Sequence, residues 1–112
     1  MRKALIVGID NYPKGRLRGC CNDADAMNQL LRNHGDGSPN FSTKLAKDVS
    51  TKSQLLQLID ECFSGDADVA LFYYSGHGHI DSIGGYLVTP DYSNFDFGVS
   101  LQDILTIANN SK

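Results

Sequence analysis

His77 and His79 stand one residue apart, with Asp81 two further on, in the segment VALFYYSGHGHIDSIGG of residues 69–85. Two imidazoles and a carboxylate at that spacing could begin a hydrolytic zinc site. Completing one takes more ligands, and Ser82 occupies the place where a further histidine would extend the pattern. No histidine follows His79, and His34 lies far upstream, in or just after an expected helix. A second chemistry needs only one of these rings. His77 sits between Gly76 and Gly78 at the end of an apolar run, so the backbone can turn sharply and a substrate main chain can approach. An imidazole placed there can take a proton from a thiol and later give it to a leaving amine. The Gly78 N–H, free of side-chain obstruction, suits the oxyanion of a tetrahedral intermediate. The plainer readings are a solvated loop histidine at His79 and glycines that serve only to turn the chain.

Positioning such a site falls to a regular alternation of elements. KALIVGID, residues 3–10, is continuously apolar before its aspartate, as in a strand covered on both faces of a parallel sheet. Pro13, Gly15 and Gly19 punctuate the loop that follows. Ala24, Met27, Leu30 and Leu31 then recur at helical spacing, with Asn22 or Asp23 as a possible cap and Gly35 as a stop. FSTKLAKD alternates like a more exposed strand, and Thr51 can cap a helix with Leu55, Leu58, Ile59 and Phe63 on one face. DVALFYYS reads as a second buried strand, GGYLVTPD as a short extended segment or hairpin arm, and Ser100 as the cap of a third helix. The expected fold class is α/β, a three-layer sandwich with a mostly parallel sheet. Ligand sites in such sheets lie beyond the carboxyl ends of the strands, so residues 10–23 and 75–81 should converge on one edge. The strand at residues 69–74 wants a neighbour on each side, and nothing after the third helix supplies one, so the sheet is expected to be incomplete at one edge.

A chain of 112 residues with 41% hydrophobic composition fits one soluble domain or part of one. A net charge of -3, with lysines and arginines scattered among acids, provides no footprint for nucleic acid or an anionic membrane. The apolar run at residues 4–9 is too short for a membrane span or a signal peptide, which makes a cytoplasmic location the default expectation. Cys20, Cys21 and Cys62 are odd in number and lack Cys-x-x-Cys spacing, so reduced thiols are expected. GIDNYPKG carries no Gly-x-Gly-x-x-Gly pattern, which weakens a receiver-like or flavodoxin-like reading.

ALIVGIDNYP, LRGCCNDADAM, LFYYSGHG and GGYLVTPD, in that order and at those intervals, resemble the first half of the caspase-like cysteine peptidases. The similarity is greatest to the metacaspases and the bacterial orthocaspases, and it covers nearly the whole chain. The local His-x-His-x-Asp spacing is instead similar to the metallo-β-lactamase-type hydrolases, but without their continuing histidine. The caspase-like resemblance implies that His77 is the histidine of a Cys-His dyad and Gly78 an oxyanion donor. It also implies that Asp23 helps form an acidic pocket for a substrate Arg or Lys before the scissile bond, where a buried carboxylate would be satisfied by a basic partner. Read without the resemblance, Asp23 is a helix-capping carboxylate. The family keeps a non-principal cysteine near Cys20 and Cys21, and Cys62, on the apolar face of a helix, reads as a core residue.

The nucleophile of that family comes about 50 residues after the histidine, which falls past Lys112. Residues 1–112 are therefore expected to be the N-terminal portion of one peptidase domain, inactive alone and completed by a C-terminal remainder in cis or as a separate chain. The terminal Lys112 also fits a cut by a Lys-specific protease. Only Asp81 and Asp91 lie in the loop where many metacaspases hold calcium, so calcium independence is expected, with no cofactor or metal required. A catalytically inactive regulatory module on the same fold is the alternative.

Overall fold

A computed structural model describes residues 1–110; Ser111 and Lys112, including the suggested processing residue, lie outside the described residues. Strand β1 (Arg2–Gly8) forms the centre of a parallel sheet between β2 (Ser42–Lys47) and β3 (Val69–Ser75), in the order β2-β1-β3. Its unbroken apolar run is explained by what covers it. Ala4 and Ile6 pack toward Ala24 of helix α1 (Cys20–Arg32), while Leu5, Val7 and Ile9 pack toward Leu55 and Ile59 of helix α2 (Lys52–Phe63). Helix, sheet and helix thus make the three layers expected. Gly8 permits the closest approach, since a Cβ there would lie 2.5 Å from the Cys20 carbonyl oxygen and 2.9 Å from Ala24 Cβ.

The remaining strands make a separate antiparallel sheet, β4 (Gly78–Ile80), β5 (Gly85–Ser93) and β6 (Asp96–Ser100), in the order β4-β5-β6. Sequence reading anticipates β5 as an extended segment or hairpin arm, but not its partners β4 and β6. Pro90 and Gly98 both argue against strands, and the pairing of β5 with β6 is irregular between Val88 and Ser93, which hides the period-two pattern. Val88 and Val99 nevertheless join Leu5, Leu55 and Ile59 in one core, against which Ile104 and Ile107 of helix α3 (Leu101–Asn109) pack.

Both downstream caps form as read. Thr51 Oγ1 accepts from Gln54 N at 3.1 Å, and Ser100 Oγ accepts from Asp103 N at 3.0 Å. The first helix departs from expectation at both ends: it starts at Cys20, after Gly19, and ends at Arg32, with Asn33 rather than Gly35 at its C-cap. Among the described residues, β3 pairs with β1 on one side and with no strand on the other. Every residue of β3 after Val69 is only half-buried, in contrast to the closed surroundings of β1. Among those same residues, no helix is long and apolar enough to cross a membrane.

Candidate active site

The carboxyl ends of β1 and β3 are tied together by a bond from Ile9 N to Ser75 O of 2.9 Å, and both loops that follow converge there. The first loop is organised by two carboxylates. Asp48, just beyond β2, has a left-handed backbone with φ 55°, and its Oδ1 accepts from Asp10 N at 2.9 Å and Asn11 N at 3.1 Å. Asparagine and aspartate tolerate that conformation better than other side chains with a Cβ. Asp10 in turn receives Cys20 N at 2.8 Å and Cys21 N at 3.2 Å, so it caps α1 from the end of β1. Burial pushes the Asp10 carboxyl up, but the donated N–H groups together with the neighbouring thiols outweigh it and hold the group below the usual carboxylate range.

The organised loop grips His77 at two points. Gly15 O meets the ring Nε2, and Tyr12 Oη accepts from His77 N at 3.0 Å while the two rings meet edge-on at 4.4 Å. A carbonyl can only accept, so in the neutral ring Nε2 carries the proton and Nδ1 remains as the basic nitrogen. On the other side His77 O accepts from Val88 N at 3.0 Å and from Tyr74 Oη at 2.8 Å. Gly76 is glycine for a steric reason: a Cβ there would lie 2.5 Å from Tyr74 Oη and 2.6 Å from Tyr12 Oη.

The ladder alternation fixes where the next amide points. Positions 77/88 and 81/84 are hydrogen-bonded across β4 and β5, as shown by Val88 N to His77 O and Asp81 N to Gly84 O. Gly78, opposite Leu87, therefore occupies a non-bonded position, and its N–H faces away from β5, over the free edge of β4. Asp23 also reaches this end of the sheet, where its Oδ2 accepts from Ser75 Oγ at 3.4 Å. Two expectations for Asp23 need correction. The carboxylate is exposed rather than buried, because no described element covers that side of the β3 end. Nor does it cap α1, because Gly19 precedes the helix and Asp10 takes the first free N–H groups.

The other reactive side chains are occupied elsewhere. His79 stacks on Phe97 at 4.0 Å, and Asp81 Oδ1 is held by Ile83 N at 2.8 Å and Gly84 N at 3.0 Å. His34 lies near Arg2, at the far end of the sheet. Among the described residues, no three His, Cys, Asp or Glu side chains converge to hold a metal ion. Burial, followed by the Asp10 and Asp48 carboxylates, pushes the Cys21 thiol up to about 11. Cys62 is buried in the core, with its sulfur 3.5 Å from Leu71 O, and burial raises its pKa too. Neither is a thiolate at neutral pH.

A family model described as the caspase domain matches residues 1–111. The chain belongs to the caspase-domain family. It is similar to Metacaspase-1 of Arabidopsis thaliana, 35% identical over 88 residues, covering 69% of this chain and 23% of that protein. It is also similar to Metacaspase-1 of Candida albicans, 36% identical over 107 residues, covering 85% of this chain and 22% of that protein. Metacaspase-9 of Arabidopsis thaliana is 34% identical over 89 residues, which cover 69% of this chain and 27% of that protein. The matched region thus spans about a quarter of these relatives or less. For this caspase-domain chain, sequence reasoning located His77, Gly78 and Asp23 at one sheet edge but missed the supporting Asp10, Tyr12, Asp48 and Tyr74. Asp10 and Tyr12, polar groups just after a buried strand, gave a usable signal. Asp48 gave none, since its role depends on a left-handed backbone that the sequence does not announce.

Proposed function

We propose that this chain is the N-terminal part of a caspase-like cysteine endopeptidase that cleaves after Arg or Lys, with its nucleophilic cysteine supplied by sequence beyond residue 112. The observation that carries the reading is His77, its Nε2 turned to the Gly15 carbonyl and its Nδ1 left basic, beside a β3 edge that has no strand neighbour among the described residues. A further parallel strand on that edge would end where β3 ends, and a cysteine at its carboxyl end would come within reach of the ring. Of the three cysteines already present, Cys21 and Cys62 are held as thiols, and the caspase-like resemblance gives the cysteine near Cys20 and Cys21 no principal catalytic role.

In this mechanism Nδ1 of His77 takes the thiol proton, and the thiolate attacks the scissile carbonyl. The developing oxyanion meets the Gly78 N–H, whose outward direction supports that role. The imidazolium then gives its proton to the departing amine, leaving a thioester that water hydrolyses with His77 again acting as base. Asp23, exposed on the same edge, would take the guanidinium or ammonium of the residue before the cut bond once the remainder covers it. The test is to assay the full-length protein on fluorogenic peptides ending in Arg, Lys or Asp, alongside His77→Ala. Cleavage after Arg or Lys that disappears in the variant supports the proposal. Cleavage only after Asp refutes the specificity, and a wild-type protein inert to all three leaves the non-catalytic module as the better account.

A further inference from the structure

The hydrogen-bonded pair His77/Val88 is half missing. Val88 N donates to His77 O at 3.0 Å, but the return bond from His77 N goes to Tyr12 Oη at 3.0 Å, and Tyr12 Oη lies 3.0 Å from Val88 O. A tyrosine hydroxyl is therefore spliced into the ladder at the histidine. Tyr74 closes the other side, with its Oη 2.8 Å from His77 O, 2.9 Å from Val88 O and 2.9 Å from Tyr12 Oη. The two hydroxyl protons and the His77 N–H serve these acceptors without leaving a donor unpaired. Burial raises the pKa of both tyrosines, so both hydroxyls keep their protons at any working pH.

We propose that Tyr12 and Tyr74 are positioning residues for His77, fixing its main chain through N–H and C=O so that the ring stays on the Gly15 carbonyl with Nδ1 presented to the thiol. Tyr12 matters most because it shares a loop with Gly15: one loop holds the histidine by its backbone and by its ring. Replacing Tyr12 by Phe keeps the aromatic edge contact but removes the bridge. His77 N then either closes directly on Val88 O, which moves the backbone, or stays unpaired, which removes one of the two main-chain tethers; either way the ring contact with Gly15 is held less firmly. Gly76 belongs to the same device, since it admits both hydroxyls at a distance that any Cβ would deny.

The kinetic part of this inference rests on the peptidase reading; the structural part does not. The experiment compares full-length wild type, Tyr12→Phe, Tyr74→Phe and, as control, Tyr73→Phe, which lies on the opposite face of β3 among the α1-side apolar residues. With 15N-histidine labelling, long-range nitrogen–proton correlation spectra report the tautomer of His77, and peptide hydrolysis gives kcat and KM. Wild type and Tyr73→Phe should show a single Nε2–H tautomer. Tyr12→Phe should show a mixed or broadened signal, with kcat lower by about tenfold to a hundredfold and KM changed by about twofold or less, as expected for a misplaced base rather than lost binding. If Tyr12→Phe fails to fold, Tyr74→Phe is read in the same way. An unaltered His77 signal in the folded variants overturns the proposal. If wild type hydrolyses no peptide, the peptidase reading fails and the spectra alone still decide the tyrosine roles.

Discussion

Gly76→Ala offers a sharp test of how the site is packed. Its new methyl carbon would fall 2.5 Å from Tyr74 Oη, 2.6 Å from Tyr12 Oη and 2.7 Å from Tyr74 Cζ. Tyr12 is 4% exposed and wedged in the core, so its hydroxyl cannot retreat without swinging the whole ring. Overpacking of this kind costs ~1–3 kcal/mol, and two broken hydrogen bonds add ~0.5–1.5 kcal/mol each. Loss of glycine's unfolded-state freedom offsets ~0.4–1 kcal/mol. The net expectation is a loss of roughly 1–5.5 kcal/mol, readable as a lower denaturant midpoint at unchanged slope in the full-length protein. Hydrolysis by the surviving folded fraction should fall as well, because the same shift displaces His77. A variant within about 0.5 kcal/mol of wild type would show that the hydroxyls are not packed against Gly76 as described.

The neighbouring glycine should behave differently. A Cβ at Gly78 meets only Tyr86 O, at 3.7 Å, so Gly78→Ala should keep its stability within about 0.5 kcal/mol, with any loss confined to kcat through obstruction of the proposed oxyanion site; a large drop in the midpoint would contradict this. Asp10→Asn should destabilise by ~1 kcal/mol at pH 7, because the amide nitrogen cannot accept from both Cys20 N and Cys21 N and the negative charge at the α1 N-terminus is lost. Because the folded pKa of Asp10 lies below its unfolded value, its stabilisation is complete above the unfolded pKa, about 3.9, and is lost as pH falls through the folded one; Asp10→Asn should therefore show a shallower loss of stability in that acid window. A thiol pushed up to about 11 should make Cys21 slow to alkylate at neutral pH and faster as pH rises toward that value, as peptide mapping can follow; rapid neutral labelling would refute its carboxylate surroundings. If Asp23 forms the proposed basic-residue pocket, Asp23→Asn should lower kcat/KM on Arg-ended peptides by about tenfold or more, and an unchanged preference would remove Asp23 from that proposal.

Much of this arrangement can be read from the chain because its strongest signals are local. The unbroken KALIVG run suggests a strand covered on both faces, as β1 is, and Thr51 and Ser100 cap the helices they precede. Glycines flanking His77 mark a strand end where two loops meet, and the sheet brings Asp23 to the same place. Long-range bonds decided what was harder to see. The α1 cap comes from Asp10, ten residues away across a loop, and not from Asn22 or Asp23 nearby. Tyr12 and Tyr74 look like ordinary apolar positions in a pattern reading, yet their hydroxyls work as main-chain partners 65 and 3 residues from them. Of the antiparallel sheet only the arm at β5 is legible, because Pro90 and Gly98, both usual strand breakers, sit inside strands whose pairing is irregular.

On the proposed mechanism, His77 activates a cysteine that lies beyond residue 112. The most direct measurement treats full-length protein with an Arg-ended acyloxymethyl ketone, which alkylates only an activated thiol, and maps the modified residue by mass spectrometry in wild type and His77→Ala. A single adduct on a cysteine beyond residue 112, abolished in His77→Ala, is the predicted result. An adduct on Cys20, Cys21 or Cys62, or labelling that persists without the imidazole, would contradict it.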